Sequence, residues 1–322
     1  MPGLVTLGES MAMLCSPRPG PLRHAPHLDL SIAGAESNVA IGVRRLGHPA
    51  AWIGRVGADE FGALVLERLR AEQVDVSGAL VDPHAPTGLL IKEQRTPDVT
   101  RVQYYRTASA GSRLGPADID AAAAAGAITD ADVLHITGIT PLLSPSAAEA
   151  VAHAVKLAAA AGIPVSLDVN HRTALGGAAE LRERLTPLLP HVSHLFGSEE
   201  ELLLLADATD EPSAVARLGG PGRGPDLIVK RGARGASVHP ADGRPALHRS
   251  AVPVRALDPV GAGDAFVAGY LSALLDGAPL DDRLRLGCLT GAFAVTVPSD
   301  WSGQPTRDEL CLLDAEAGTT LR

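Results

Sequence analysis

The stretch Asp258-Pro-Val-Gly-Ala-Gly-Asp-Ala-Phe266 decides how this chain is read. Gly261, Ala262 and Gly263 are small enough for the backbone to approach a ligand closely, with several N–H groups pointing one way. Behind them Phe266, Val267, Tyr270, Leu271, Leu274 and Leu275 recur at helical spacing, and Gly277 stands where a helix-ending glycine belongs. Unpaired amides at a helix start, reinforced by the helix dipole, make an anion site suited to phosphate. Asp264 falls in the first turn of that helix, where its charge would oppose an anion. Beside a transferring phosphoryl group, however, a carboxylate can take the proton from an attacking hydroxyl. The plainer alternative is a capped helix after a glycine turn.

Two familiar nucleotide-binding patterns are absent. The only lysines are Lys92, Lys156 and Lys230, and none follows a glycine, so there is no P-loop. Nor is there a Gly-x-Gly-x-x-Gly, since in the pattern begun by Gly261-Ala-Gly263 the sixth position is Phe266.

The 322 residues suffice for one large α/β domain or two smaller ones. A net charge of −9 argues against binding a phosphate backbone, which needs a basic face. It does not forbid an anionic small molecule in a pocket lined by a few arginines. Cys15, Cys288 and Cys311 are odd in number, widely spaced and without a metal-ligand pattern, and they read as free thiols of a reducing cytoplasm. No leader-like basic and apolar segment opens the chain, and no run approaches a membrane span, so a cytoplasmic location is expected.

Apolar runs at Leu4–Leu7, 51–53, 133–136, 165–167, 194–196 and 227–229 are expected as buried strands. Amphipathic stretches at Glu60–Ala71, 145–161 and 180–189 lie among them, and Ser144-Pro145 marks a helix start. This alternation predicts a mostly parallel sheet covered by helices on both faces. Met11–Cys15 with 28–32, and 87–92 with 100–106, look like strands without intervening helices. They predict a small separate sheet over the carboxyl edge of the main one, drawn from about 11–33 and 87–107. An edge hairpin is the alternative. Gly219-Gly-Pro-Gly-Arg-Gly-Pro225 is expected as a loop.

Gly34-Ala-Glu-Ser-Asn38, Arg45-Leu-Gly47 and Gly54-Arg-Val-Gly-Ala-Asp59 together resemble the first signature of the ribokinase-like (PfkB) sugar kinases. Asp258–Phe266 resembles their second, and Lys230-Arg-Gly-Ala-Arg-Gly235 resembles the nucleotide loop between them. The likeness runs from about Val5 to about Leu313. It implies a three-layer α/β sandwich with a small β-sheet lid, spanning 1–322 as a single kinase domain. Within the family the chain is most similar to the 2-keto-3-deoxygluconate kinases. That likeness rests on Ala33–Asn38, Tyr104-Tyr-Arg106, Ser109-Ala-Gly-Ser112, His135-Ile-Thr-Gly-Ile139, Asp168-Val-Asn-His-Arg172 and Ser198-Glu-Glu-Glu201. A sugar acid calls for a cation at its carboxylate; the planar guanidinium of Arg106 could grip one bidentately, and Arg172 could reach the same ligand or a phosphate.

The resemblance implies Asp264 as the base, with the amides of Gly261, Ala262 and Gly263 stabilising the moving phosphoryl group. It implies Gly34, Asn38, Tyr104, Arg106, Ile139 and Arg172 around the sugar. Asn170, Ser198, Lys230, Gly232 and Gly235 would serve ATP, and Glu201 would hold Mg²⁺ through water. A monovalent cation is left open as a further cofactor, and a homo-oligomer paired through the lids is expected. The sequence departs from the pattern at Ser198, in place of a common asparagine, and at Cys288, in place of another. Leu90 stands where that branch has a lid tyrosine, which bears on substrate. Fructokinase is the rival activity, and a non-catalytic sugar sensor is the rival of another class.

Overall fold

The computed structural model describes residues 3–96, 99–219 and 224–314, so part of the glycine-rich loop at 219–225 lies outside the described residues. In chain order, β1 (Leu4–Leu7) leads without a helix into β2 (Met11–Cys15) and β3 (Asp29–Ala33). Next come α1 (Ala35–Arg45), β4 (Ala50–Gly57), α2 (Glu60–Ala71) and β5 (Ala79–Asp82), then β6 (Leu89–Thr96) and β7 (Val99–Tyr105). A regular alternation follows through α3 (Pro116–Ala124), β8 (Val133–Thr137), α4 (Pro145–Ala160), β9 (Val165–Asp168), α5 (Ala178–Leu185) and β10 (Val192–Ser198). It continues through α6 (Glu199–Ala206), α7 (Glu211–Leu218) and β11 (Asp226–Lys230). The chain finishes with β12 (Ala236–His239), β13 (Leu247–Arg249), α8 (Ala262–Leu275) and α9 (Leu280–Ala294).

Helix starts follow their caps. Asp59 accepts the Gly62 amide at 2.8 Å, and Ser144 accepts that of Ala147 at 3.1 Å with Pro145 as the first helical residue. Beyond α5, the stretch expected as helix to 189 tightens into a 3₁₀ turn over Thr186–His191, where Pro187 and Pro190 cannot supply helical amides.

The main sheet runs β13-β12-β11-β10-β9-β8-β1-β4-β5, parallel except for β12 and β13 at one edge. Neighbouring strand residues serve opposite faces. Leu4 packs with Val39, Val65, Val267 and Leu284 of α1, α2, α8 and α9, whereas Val5 packs with Ile119, Val151, Leu181 and Leu202 of α3 to α6. A parallel sheet buried on both faces explains why its strands appear as unbroken apolar runs. From β1 the chain winds outward to β4 and β5 on one side and to β8 through β13 on the other. The carboxyl ends of β1 and β8 therefore flank the crevice where ligands of open α/β sheets bind.

A second sheet runs β3-β2-β6-β7, with β2 and β6 parallel and the other two pairs antiparallel. Met11, Met13, Ala33 and Leu90 form its small core. Leu90 lies opposite Tyr104, which is exposed along with Tyr105 and Val99 on β7.

Candidate active site

The chemistry gathers at the carboxyl ends of the parallel strands. Asp264 sits in the first turn of α8, buried, with its Oδ2 accepting from the Asn38 side-chain amide at 2.8 Å. Asn170 approaches its other oxygen at 3.4 Å, from a residue whose φ of 40° is the left-handed conformation asparagine tolerates better than most. Burial pushes the Asp264 carboxyl up to about 7, although the Asn38 hydrogen bond and the Arg172 charge pull it down. A carboxylate poised there suits a general base near neutral pH. Because only the ionised form accepts a proton, kcat/KM should fall below about pH 7, approaching tenfold per unit, and be flat above. A pH–rate profile level from 6 to 8 would be inconsistent with Asp264 as the base.

Gly261 has φ of 80°, and a Cβ on it would lie 2.0 Å from the Asp300 carbonyl oxygen, so glycine is required there twice over. The amides of Gly261 and Gly263 have no acceptor among the described residues. That of Ala262 turns back to Pro259 O at 3.3 Å, so it is less free than its neighbours, against the expectation that all three serve alike. Lys230 brings positive charge to the same place. Its Nζ lies 3.3 Å from where a Cβ on Gly263 would be, and 2.5 Å from Asp168 Oδ2. Burial lowers the Lys230 pKa, but Asp168 and Glu201 outweigh it and hold the ammonium above its usual range. Amides, an ammonium and a buried carboxylate thus converge where a phosphoryl group could pass to a hydroxyl.

The remaining expected residues divide. Gly34 begins α1, and a Cβ there would meet Glu9 O at 2.6 Å and Ser10 Cα at 3.0 Å. Its smallness is thus demanded by the turn after β1, whatever ligand it meets. Asn38, expected to face sugar hydroxyls, gives its amide to Asp264, while its Oδ1 is buried without a partner among the described residues. A buried acceptor of that kind needs a donor from somewhere. Ile139 is buried just past β8, its amide bonded to Thr137 Oγ1 at 3.1 Å. Asn170, assigned above to the nucleotide, touches Asp264 itself. Ser198 caps α6 through the Glu201 amide at 3.1 Å. Gly232 and Gly235 have φ of 55° and 93° in the loop after β11.

The two arginines differ. Arg106 is paired with the buried Glu9, at 2.5 Å through Nη2 and 2.7 Å through Nε, and stacks 5.6 Å from the Tyr104 ring centroid. Ser109 donates to the other Glu9 oxygen. Arg172 is exposed and its side chain has no ion-pair or hydrogen-bond partner among the described residues, yet its charge reaches both Asp264 and Asp300.

No group of three or more His, Cys, Asp or Glu side chains among the described residues stands ready to hold a metal. Glu201 accepts the amides of His171 at 2.8 Å and Ser198 at 2.7 Å, one on each oxygen. Such a carboxylate fits a magnesium ion that arrives with nucleotide phosphates and is met through water. Burial pushes the Cys15 and Cys288 thiols up to about 11, away from thiolate chemistry at neutral pH.

Several buried side chains around the site escaped the sequence reading: Glu9, Glu36, Lys92, Asp168 and Asp300. Asp168 and Glu36 lay within quoted motifs, and Asp168 offered a further signal, a carboxylate closing an apolar strand. Glu36 is buried, with its Oε1 accepting from Thr137 at 2.7 Å and Thr140 at 2.6 Å, and burial raises its pKa. It ties α1 to the turn that carries Ile139.

The pfkB family carbohydrate kinase model matches residues 1–307. The chain belongs to that family of carbohydrate kinases. A 2-dehydro-3-deoxygluconokinase of Thermoproteus tenax is 38% identical over 96% of this chain and 93% of its own length. One from Bacillus subtilis is 36% identical over 95% and 93%, and a fructokinase of Klebsiella pneumoniae 33% over 94% and 96%. Among solved structures, an E. coli putative ribokinase II in complex with ATP and Mg²⁺ has a TM-score of 0.85 at 26% identity, covering 98% of this chain and 99% of its own. A Vibrio cholerae fructokinase double mutant bound to fructose, ADP and a potassium ion has a TM-score of 0.82 at 25% identity, over 97% and 98%. The fold of this carbohydrate kinase is therefore the ribokinase-like sandwich with its separate small sheet.

Proposed function

We propose that this kinase phosphorylates 2-keto-3-deoxygluconate (2-dehydro-3-deoxygluconate) at its terminal primary hydroxyl, with ATP as the phosphoryl donor. The supporting observation is the pair of guanidiniums at the site. Arg106 is held by Glu9, whose main chain packs on Gly34, and the Arg172 side chain is unpaired among the described residues and acts on Asp264. A sugar acid would find in Arg172 a guanidinium free to meet its carboxylate, and in Arg106 the N–H donors left over from the two bonds to Glu9. Identities of 38% and 36% to two 2-dehydro-3-deoxygluconokinases favour the same substrate.

In this reading Asp264 takes the proton of the primary hydroxyl as that oxygen bonds to the γ-phosphorus and the bond to the bridging oxygen breaks. The Gly261 and Gly263 amides and the Lys230 ammonium meet the charge on the transferring group. The small sheet closes over the sugar and keeps out water that would compete for the phosphoryl group. Fructokinase is the second reading, favoured by Leu90, which is buried in the lid core and offers the sugar no hydroxyl.

A coupled assay of ADP release with ATP and Mg²⁺ separates them. Strong preference for the acid over fructose and ribose is expected. Preference for a neutral sugar would overturn the acid reading and leave Asp264 in place, and failure with all three would point first to an untested sugar and only then to a sensor. Arg106→Ala should raise KM for the acid on the order of tenfold more than for fructose, and equal effects would count against a carboxylate grip.

A further inference from the structure

Beneath the anion-binding turn lies a buried cluster that the reaction scheme does not use. Lys92, on β6 of the small sheet, places its Nζ 2.5 Å from Asp258 Oδ2 and 2.9 Å from Asp300 Oδ1. All three residues are less than a tenth exposed. Both carboxylates belong to the framework of the turn. Asp258 Oδ1 accepts the Val260 amide at 3.1 Å, just before Gly261. The Asp300 carbonyl is the atom on which a Gly261 side chain would fall, at 2.0 Å. Nearby, Trp301 donates to Ile32 O of β3 at 3.2 Å, fixing this segment against the small sheet.

Two carboxylates so close to a phosphate-binding turn would repel each other and any incoming phosphate unless a cation stood between them. The anionic oxygens that a monovalent ion would need there are already bridged by an ammonium, so a potassium ion does not fit between them. We infer that Lys92 is a built-in monovalent cation, a positioning residue that holds the anion-binding turn and frees this kinase from dependence on added potassium. Lysine suits the task because its charge is compact, like that of potassium or ammonium, where the guanidinium is broad and planar. Composition points the same way. Of 28 basic residues only three are lysines; Lys92 and Lys230 are tied to buried carboxylates around this turn, and Lys156 is exposed. Burial lowers the Lys92 pKa, yet Asp300 and Asp258 more than offset it, so the ammonium stays charged.

The inference rests on the kinase reading only for its rate measurements. In choline, sodium, potassium or ammonium chloride at one ionic strength, the unaltered protein should turn over its sugar at rates within about twofold of one another. Its thermal midpoint should be equally indifferent to potassium. Lys92→Ala should lose on the order of tenfold or more in kcat in choline, and potassium or ammonium at about 0.1 M should restore much of it. The same ions should raise the midpoint of the variant, more than sodium does, an effect that a mere strut would not show. Potassium activation of the unaltered protein by severalfold would overturn the inference. So would a folded Lys92→Ala that matches the parent in choline, or one that no cation restores. If the variant does not fold, the salt series on the unaltered protein decides. Absence of turnover with every sugar would instead count against the kinase reading, and the thermal measurements would still test Lys92.

Discussion

Asp264→Asn is expected to lower kcat by on the order of a hundredfold or more while leaving KM for the sugar within a few-fold. The asparagine keeps an oxygen to accept from Asn38, so the local framework survives and only proton acceptance is lost. The same variant should be more stable than the parent at alkaline pH. The folded-state pKa, about 7, lies above the ordinary 3.8, so the folded protein resists ionising this group. That cost is absent below the ordinary value, builds across the interval and is complete above about 7. Replacement by a neutral isostere should therefore add on the order of 1–3 kcal/mol at pH 8 and much less at pH 5. Thermal melts at the two pH values read the difference directly. A variant that is inactive but equally stable at both would leave the base assignment standing and refute the buried-charge account. Near-normal turnover would remove Asp264 from the chemistry.

The second large effect is expected at Lys230. Truncation to alanine leaves Asp168, almost wholly buried, facing the anion-binding turn without its cation. Breaking a buried pair from one side typically costs about 3–5 kcal/mol, and urea unfolding should show a loss of that order. The remaining carboxylate would also repel phosphate, so kcat/KM for ATP should fall by at least about a hundredfold. Lys230→Met separates the two contributions, since it keeps most of the packing and removes only the charge. If Lys230→Met retained nucleotide affinity, Lys230 would be a strut beneath the site with no part in binding phosphate.

Local signals carried the fold further than they carried the site. Leu4–Leu7, Met11–Cys15 and Glu60–Ala71 were legible to the residue, because apolar runs, alternation and an aspartate cap are encoded within a few positions. The edge strands β5 and β13, and β12 beside β13, were not, since strands of three or four residues are too short to carry a strong pattern. At the site, the helix-start glycines and Asp264 were visible because one turn contains them all. The ion pairs were invisible for the opposite reason. Glu9 and Arg106 are 97 residues apart, and Lys92 and Asp300 are 208 apart, so nothing in local spacing announces either. Arg106 shows the consequence: a guanidinium that looked free for a ligand already has a carboxylate partner. Asn38 and Asn170 were singled out, yet only the fold shows that both turn toward Asp264.

The strand order has a consequence for how such a protein changes over time. With β1 at the switch point, the residues proposed to meet the sugar through Gly34, Asn38, Tyr104, Arg106 and Ile139 all precede β9. Those proposed for the nucleotide and the transfer step follow it, except that Lys92 reaches the anion-binding turn from the first half and Arg172 reaches the sugar from the second. In the proposed function, acceptor and donor are thus written largely in successive halves of the gene. Exchanges in the first half that spare Lys92 and Asn38 can retune what is phosphorylated while the machinery that delivers the phosphoryl group is inherited unaltered.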